Sequence, residues 1–469
     1  MPRTRSTNSA VLPRTQDFDW PLAYEAEALL RQRLEVFFTN NRFARELATR
    51  MRNETGTDLF EWVDHLVVSP GEEPALLAAG FALDAEIEGP QGDLVLEHPR
   101  ATLPRVLLRR ARQTPSVVAI KPEFVADFIA RHNLCARPEG QPWSRYRRVL
   151  VAEENGTRLE AVERRAYRGF VPVPLKCGEL EPVVRVRELF LTRPRRFDDD
   201  AEGFAETHTL LNQAIRLVGC DVACHLFFAA ERAYWESRNQ AARLQRSRQD
   251  SLGLGWGNHD HHTFRSSREH FTDLIRAFAK LGFRKRERFY AGAEAGWGAQ
   301  VLEQPVAGIV VFADVDLLPE ETQVDFATRK LPSASKLGTV GLWVGLHGES
   351  FLEAGMHHLE ARFDFDTLRQ QLQQQGVNTM TPFSDFAFLR QAFTQGEHWP
   401  VRPERVTRLV EAGLLTREQA EGFVREGAIG SHLENLQRHG GFKGFNQKAV
   451  SAIIAATDPR KQIRPGQAA

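Results

Sequence analysis

The sequence predicts an α+β fold in which repeated β-α-β-β units form curved mixed sheets, with several helical segments added. Residues 60–180 give the order strand, helix, strand, strand twice, as short β-branched runs separated by helical spacing. The same order returns at HDHHTFRS, which precedes the amphipathic run REHFTDLIRAFAKLGF, and again at Met356–Phe365. Two such units side by side would make a curved sheet with a cleft. Residues 181–250 form a long helical stretch instead.

Composition is that of an ordinary globular protein and gives no sign of a nucleic-acid or membrane partner. The 469 residues exceed the size of a single core, so two or three domains are expected. Lys+Arg and Asp+Glu are both 61, so net charge does not favour binding to a polyanion. No apolar run is long enough to span a membrane. The four cysteines are too scattered for a disulfide framework, which favours the reducing cytoplasm.

The predicted elements divide the chain into seven segments. In chain order they are a disordered tail, a helical N-terminal segment, a first sheet region, a helical connector, a second sheet region, a helical C-terminal segment and a short tail: residues 1–16, 17–59, 60–180, 181–250, 251–400, 401–460 and 461–469. A break between two helices is expected at Asn40–Asn41. In the C-terminal segment, Thr416 and Gln419 fit the capping box of a helix start.

A cluster of potential metal ligands opens the second sheet region. Alternate residues of a strand share a face, so the pattern predicts two sets that point opposite ways: His259, His261, Thr263 and Arg265, against Asp260, His262 and Phe264. His261 and Arg265 would lie about 13 Å apart along the strand, at roughly 3.3 Å per residue. By the same rule His358 and Glu360 share a face of a later strand.

The residue types indicate which metals such a site could bind. Two histidines and one carboxylate with open coordination positions are typical of non-haem Fe(II) oxygenases, and imidazole also suits zinc, nickel and copper. A single histidine in a strand is more often a packed or surface residue, and that alternative stays open for each histidine taken alone. Two His-rich strands, each opening the same supersecondary unit, favour the metal interpretation.

The stretch DHHTFRSS, followed by a helix ending in LGF and later by MHHLEARFDFD, resembles the 2-oxoadipate dioxygenase/decarboxylase (hydroxyglutarate synthase) family of the vicinal-oxygen-chelate superfamily. The resemblance covers roughly residues 255–440 and includes FLRQ at Phe388–Gln391. It implies that His261 and His358 are metal ligands and that Arg265 accompanies His261. Residues 60–180 would be a degenerate copy of the fold. Its opening strand contains His65, but the opening strand of its partner unit, SVVAI, contains no histidine.

The family's third ligand is a carboxylate on the last strand of its second unit. Glu397, which directly follows FLRQAF, is the first choice here, and Glu360 and Glu404 are the alternatives. The resemblance implies that Arg265 is catalytic and binds a substrate carboxylate, and Arg390 is the candidate for the distal carboxylate. A guanidinium suits that role because its planar fork can bind a carboxylate through two hydrogen bonds.

The resemblance implies an Fe(II) cofactor, or another divalent metal, and a small 2-oxo acid and O2 as reaction partners. The expected reaction is the decarboxylating oxidation of a 2-oxo dicarboxylic acid, of the type that converts 2-oxoadipate to 2-hydroxyglutarate. Two alternatives stay open. One is another vicinal-oxygen-chelate metalloenzyme, such as an isomerase, a lyase or a ring-cleaving dioxygenase. The other is a non-catalytic binding protein on the same fold.

Overall fold

Two mixed β-sheets and the helices that cover them form the computed structural model of this protein, which describes residues 20–110, 115–446, 458 and 460. The first sheet has seven strands and the second has nine. This architecture confirms the predicted α+β class with repeated units and curved mixed sheets. The predicted tails at 1–16 and 461–469 lie outside the described residues. Within the described ranges, no helix has the length and apolar character needed to cross a membrane.

Two helices precede the first sheet, as the apolar stripe predicts. Helix α1 (Tyr24–Asn40) buries Leu30, Leu34 and Phe37 against the first sheet. Helix α2 (Arg42–Arg50) follows after one residue, Asn41, whose side chain accepts a hydrogen bond from the backbone N–H of Ala44 at 3.0 Å. An asparagine that caps a helix in this way ends one helix and starts another, so the predicted break is confirmed.

The first sheet is built from two successive units that contain the predicted β-α-β-β order, and the first unit has one further strand. The elements are β1 (Val63–Val68), α3 (Glu73–Ala78), β2 (Ala82–Glu88), β3 (Leu94–Glu97), β4 (Arg105–Leu108), β5 (Ser116–Ile120), α4 (Val125–Arg131), β6 (Tyr146–Glu154) and β7 (Thr157–Arg164). The strand order is β2-β3-β4-β1-β5-β7-β6. Strand β1 is parallel to β4 and antiparallel to β5, which is in turn parallel to β7.

Four helices connect the sheets, and they belong structurally to the second half. They are α5 (Leu180–Thr192), α6 (Asp200–Val218), α7 (Cys220–Ser237) and α8 (Gln240–Asp250). Phe227 and Phe228 of α7 share one buried core with Phe264 and Phe278 of the second half. The connector therefore forms the layer on which the second sheet packs.

The second sheet repeats the same plan with insertions. Its elements are β8 (His259–Arg265), α9 (Phe271–Lys280), β9 (Arg284–Tyr290), β10 (Trp297–Gln304), β11 (Ile309–Asp316), α10 (Thr339–His347), β12 (His358–Arg362), α11 (Phe365–Gln374), β13 (Ser384–Phe386), β14 (Leu389–Phe393), β15 (Glu397–Trp399), α12 (Pro403–Glu411), α13 (Arg417–Glu426) and β16 (Ala428–Arg438). The order is β13-β14-β16-β12-β8-β11-β10-β9, and β15 pairs with β16.

Strand β16 corrects the expectation that residues 401–460 are helical. Helix α13 begins at the predicted cap, where Thr416 and Gln419 form both hydrogen bonds of the capping box. After that helix the chain extends, and β16 pairs in parallel with β12 and antiparallel with β14. Pairing on both sides in a buried sheet overrides the helical preference of a segment such as LENLQR. The expected boundary at residue 400 therefore falls inside the sheet.

The two sheets share one topology, which identifies them as an internal repeat. Strands β8, β11, β12 and β16 pair in the same directions as β1, β4, β5 and β7. The register shifts between Val63 and His65 in one sheet and between His259 and His261 in the other. Aligning these two bulges matches His65 with His261. The pairing across the sheets then matches Glu160 with Glu434, and Arg164 with Arg438.

Candidate metal centre

The second sheet encloses a buried pocket on its concave face. The floor is formed by the central strands β8, β12 and β16. The walls carry Phe289 and Trp297 from one edge of the sheet and Phe383 and Phe393 from the other. Residues from opposite edges can line one pocket only because the sheet curls around it.

Three potential metal ligands meet at the floor of this pocket. His261 lies on β8, His358 on β12 and Glu434 on β16, and all three side chains are buried. Their ligand atoms lie within 4.8 Å of one another, and His358 Nε2 is 2.9 Å from Glu434 Oε2. The strand register brings these three residues together. Strand β12 lies between β8 and β16, and its Glu360 is opposite His261 on one side and opposite Glu434 on the other. A group of this size suits one ion with bonds of about 2.0–2.2 Å.

A second carboxylate lies beside this group. Glu360 contacts Nε2 of His261 directly, and it forms a second potential ligand group with His261 and Asp260. The side-chain amide of Gln391 donates hydrogen bonds to Glu360 Oε1 and to Glu434 Oε1, both at 3.1 Å. One amide therefore fixes both carboxylates and leaves their Oε2 atoms beside the histidines. Such supporting hydrogen bonds orient metal ligands.

The electrostatics of the group favour a divalent cation. Burial lowers the pKa of His261, and burial together with Arg265 lowers the pKa of His358 well below its usual value. Both imidazoles are therefore neutral and offer a lone pair. Burial raises the pKa of Glu434 to about 7, and burial with the neighbouring Glu434 raises the pKa of Glu360 well above its usual range. Two adjacent buried carboxylates need either protons or a cation between them. The donor set thus fits a metal such as Fe(II).

A β-bulge turns Asp260 towards the rear of His261. Asp260 Oδ2 is 3.2 Å from His261 Nδ1, while Arg362 and Arg438 donate to the same carboxylate at 2.8 Å and 3.0 Å. Against the effect of burial, these two cations hold the pKa of Asp260 well below its usual value. An ionised Asp260 that accepts the proton of Nδ1 leaves Nε2 free for a metal. The prediction that Asp260 faces away from His261 is wrong, because alternation breaks at the bulge.

His262 points away from the metal group, as alternation predicts. Its ring centroid lies 4.9 Å from that of Phe228, and its Nε2 lies 3.2 Å from Nη1 of Arg232. His259, which was expected beside His261, has its ring 5.3 Å from that of His262. The bulge carries His259 to this opposite side, so the cluster of four candidate ligands in HDHH contributes one histidine to the group.

Arg265 lines the same pocket as His261, as the sequence predicts. Its buried guanidinium lies with Nε 3.8 Å from Asp314 Oδ2 and with its centre 5.4 Å from the ring of Trp343. Burial lowers the pKa of Arg265 to about 10 and raises the pKa of Asp314 to about 8. At neutral pH the arginine is charged and the aspartate is protonated. The positive charge is therefore available to an anionic ligand in the pocket.

Two of the predicted carboxylate candidates lie elsewhere. Glu397 accepts hydrogen bonds from the backbone N–H groups of Gln240 and Ala241, at 2.6 and 3.4 Å, at the start of α8. Glu404 is exposed in the first turn of α12. The last strand of the second unit is β16 and not the short strand that contains Glu397. The carboxylate that lies beside His261 and His358 on this last strand is Glu434, which the sequence analysis does not identify.

Arg390 also lies outside the pocket. It forms ion pairs with Asp366 at 2.6 Å and Asp385 at 3.1 Å and packs over the ring of Phe365. Alternation along β14 explains the correction, since Gln391 faces the metal group and its neighbour must point away. Alternation along FLRQ places Arg390 and Gln391 on opposite faces of the strand.

The first sheet keeps only part of this arrangement. Asp64 Oδ2 lies 2.7 Å from His65 Nδ1, and Arg164 donates to Asp64 at 2.6 and 2.8 Å. These residues match Asp260, His261 and Arg438. The position that matches His358 is Val117, and the ring of Phe170 lies 4.9 Å from that of His65. An apolar cluster fills the equivalent of the metal pocket: Val67, Val95, Leu107, Val117 and Phe170.

Comparison with known proteins leaves the family unassigned. No protein-family model and no curated protein sequence matches this chain. Among solved structures, a mutant 4-hydroxymandelate synthase from Streptomyces coelicolor aligns with 12% identity over 86% of this chain and 98% of its own, at a TM-score of 0.26. The YdcJ protein of Shigella flexneri, which includes domain DUF1338, aligns with 16% identity over 55% and 73%, at 0.23. Methylmalonyl-CoA epimerase from Mycobacterium tuberculosis aligns with 14% identity over 39% and 88%, at 0.23. TM-scores this low do not support an activity.

The fold and the site together define a class: a duplicated protein of two curved mixed sheets, one with a candidate metal centre and one with its equivalent filled. Within that class the second sheet carries two neutral histidines, two carboxylates and a buried arginine in one pocket.

Proposed function

We propose that this protein is a non-haem Fe(II) dioxygenase of the vicinal-oxygen-chelate superfamily that oxidatively decarboxylates a 2-oxo dicarboxylic acid. The convergence of His261, His358 and Glu434 from three adjacent strands is the observation that carries the proposal. Two histidines and one carboxylate on one face of an ion are the ligand set of many Fe(II) oxygenases. The sequence resemblance at DHHTFRSS and MHHLEARFDFD supplies the substrate class.

Bound Fe(II) would supply redox chemistry with O2 and would polarise the 2-oxo group of the substrate. The protein's own residues hold it in place. Gln391 fixes Glu434, and Asp260 orients His261 through Nδ1. For 2-oxoadipate the overall reaction balances as substrate plus O2 giving 2-hydroxyglutarate plus CO2.

Arg265 is proposed to bind the carboxylate of the substrate. Its guanidinium is charged at neutral pH, while its nearest carboxyl neighbour, Asp314, holds a proton. A carboxylate ligand would therefore compete with no fixed anion for this arginine, and a buried charge-assisted pair is strong. Phe289, Phe312 and Phe393 exclude water around this position.

Oxygen consumption tests the proposal directly. Iron-loaded protein should consume O2 in the presence of one member of a series of 2-oxo dicarboxylic acids and release CO2 in a one-to-one ratio. Arg265→Met should raise KM for that acid by at least about tenfold, because the lost interaction is charge-assisted. Iron-loaded protein that consumes no O2 with any 2-oxo acid would contradict the proposal.

The position of Glu360 favours a second candidate function. Glu360 contacts His261 and groups with it and Asp260, apart from His358 and Glu434. If its side chain turned to bind the same ion, fewer positions would remain for substrate and O2. A four-ligand ion suits a Lewis-acid isomerase or lyase of the same superfamily, with one carboxylate able to move a proton. Turnover under strictly anaerobic conditions would identify this alternative. A non-catalytic binding protein is the less favoured alternative, because Glu434 gives the pocket a third potential ligand beside the two histidines.

A further inference from the structure

A charged cleft lies between the two sheets, on the side of the Asp–His pairs that faces away from the metal pocket. Corresponding residues of both repeats line it, which places it at the approximate symmetry axis of the molecule. The matched pairs are Val63 with His259, Asp64 with Asp260, Lys121 with Arg362, and Arg105 with Val310. We refer to this space as the inter-sheet cleft.

On the second-sheet side of the inter-sheet cleft, the cations are neutralised. Arg362 and Arg438 both donate to Asp260. Lys443 lies 3.3 Å from Glu303, and Arg286 lies 3.7 Å from the same carboxylate. These groups form a closed network and leave little capacity for a ligand.

The first-sheet side carries cations without such partners. Arg105 donates to the backbone carbonyl of Arg168 at 2.7 Å and packs over Phe170, but it forms no ion pair with any residue that the structure describes. Lys121 makes neither a hydrogen bond nor an ion pair through Nζ within the described ranges, and burial lowers its pKa to about 8. The nearby carboxylate of Asp64 is bound by Arg164 through two nitrogens.

Trp62 adds a buried polar group, unpaired in the described part of the chain, beside these two cations. Trp62 lines the cleft and is 1% exposed, and its indole N–H has no acceptor among the described residues. Buried donors and cations without partners cost stability unless a ligand supplies the acceptor. Two cations at one wall of the cleft that lack an ion-pair partner in the part of the chain that the structure describes favour an anionic ligand.

We propose that the inter-sheet cleft binds a small anion with at least two negative charges, carried by phosphate or carboxylate groups. Arg105 lies on β4 and Lys121 directly follows β5, so the two residues are two strand spacings apart across the sheet and about three residues apart along it. Their Cα atoms are therefore separated by roughly 14 Å. Their long side chains can reach one ligand between them from two directions. The anion site is separate from the metal centre and does not depend on the proposed function.

Isothermal titration of the full chain with inorganic phosphate and with glutarate, at matched ionic strength, tests this site. We expect one of the two anions to bind once per chain. Lys121→Met and Arg105→Met should each weaken that binding by at least tenfold, whereas Arg105→Lys should retain part of it. Binding of phosphate alone assigns a phosphate-bearing ligand, and binding of glutarate alone assigns a carboxylate.

Arg265→Met is the matched control, because it removes a buried cation from the metal pocket and leaves the cleft intact. It should bind the anion as the native protein does. Lys121→Met should melt no lower than the native protein without anion, since it removes a half-buried charge that has no ion-pair partner in the described ranges. The proposal is overturned if neither anion binds, if both cleft variants bind normally, or if Arg265→Met abolishes binding.

Discussion

Glu434 is the residue on which the interpretation of the metal centre depends. It faces His358 across 2.9 Å, whereas Glu397 caps the start of α8. Glu434→Gln keeps the size of the side chain and removes its charge, so we expect bound Fe(II) to fall at least about tenfold. Metal analysis of desalted protein measures this. Glu397→Gln should keep the metal and lose only about 0.3–1 kcal/mol of unfolding free energy, because it removes a negative charge from the N-terminus of α8 while its amide oxygen can still accept. Equal metal loss in both variants would contradict the assignment.

Asp260 permits a test with an internal control. Asp260→Asn replaces an ionised acceptor behind His261 with a neutral amide, and we expect the affinity for Fe(II) or Zn²⁺ to fall about 10- to 100-fold. The measurement is a metal titration of the folded protein. Asp64→Asn removes the matching carboxylate beside His65, with a similar loss of arginine pairing. The control should leave metal affinity unchanged, and a comparable loss there would mean that the effect is one of general destabilisation.

The residues that could be predicted from sequence are those whose signal is local. His261 and Arg265 lie four positions apart on one strand, and His358 opens a recognisable unit. Asp260 was assigned to the wrong face because a single-residue bulge reverses alternation, and no residue type announces that bulge. Glu434 was missed because its role depends on pairing with β12, about seventy residues earlier, which local pattern does not report.

At the scale of elements, β16 determines whether the site exists. It follows two helices that separate it from the rest of the unit, yet it runs between β12 and β14 at the centre of the sheet. Its sequence AIGSHLENLQR contains good helix formers, so propensity alone indicated a helix. The internal repeat does carry a signal for this strand. In the first sheet, β7 occupies the same place and carries Glu160 and Arg164 at the same spacing as Glu434 and Arg438.

The packing of β16 against Trp399 depends on Gly430. A Cβ at Gly430 would overlap the indole ring of Trp399. That ring cannot easily move, since its N–H is bonded to Arg238 O at 3.0 Å and it packs with Trp343. Gly430→Ala should therefore cost about 1–3 kcal/mol of unfolding free energy through overpacking. Urea denaturation measures the change.

Gly71→Ala is the control for this element. The nearest atom to a Cβ at Gly71 is Ser69 Oγ at 3.7 Å, which is ordinary contact. Its stability should stay within about 0.5 kcal/mol of the native value. A native-like stability for Gly430→Ala would show that β16 and β15 can separate without cost and that the fixed position of Glu434 needs another explanation.

The whole molecule is a duplication in which one half has kept a pocket and the other has filled it. Both sheets retain the bulge, the Asp–His pair and the arginine that holds the aspartate. The second sheet has His358, whereas the corresponding position of the first sheet is occupied by Val117. The retained Asp–His pair therefore has a structural role in the first sheet, because it survives where no metal group is formed.

This asymmetry predicts that the protein binds one metal ion per chain and not two. Saturation with Fe(II) or Zn²⁺, followed by desalting and elemental analysis, should give one equivalent. His65→Ala should leave that value unchanged in folded protein, since Phe170 and Val117 occupy the space that an ion would need. His261→Ala, the matching change in the second sheet, should remove most of the metal. Two equivalents in the native protein, with one lost in His65→Ala, would mean that the apolar cluster opens and that both halves bind metal.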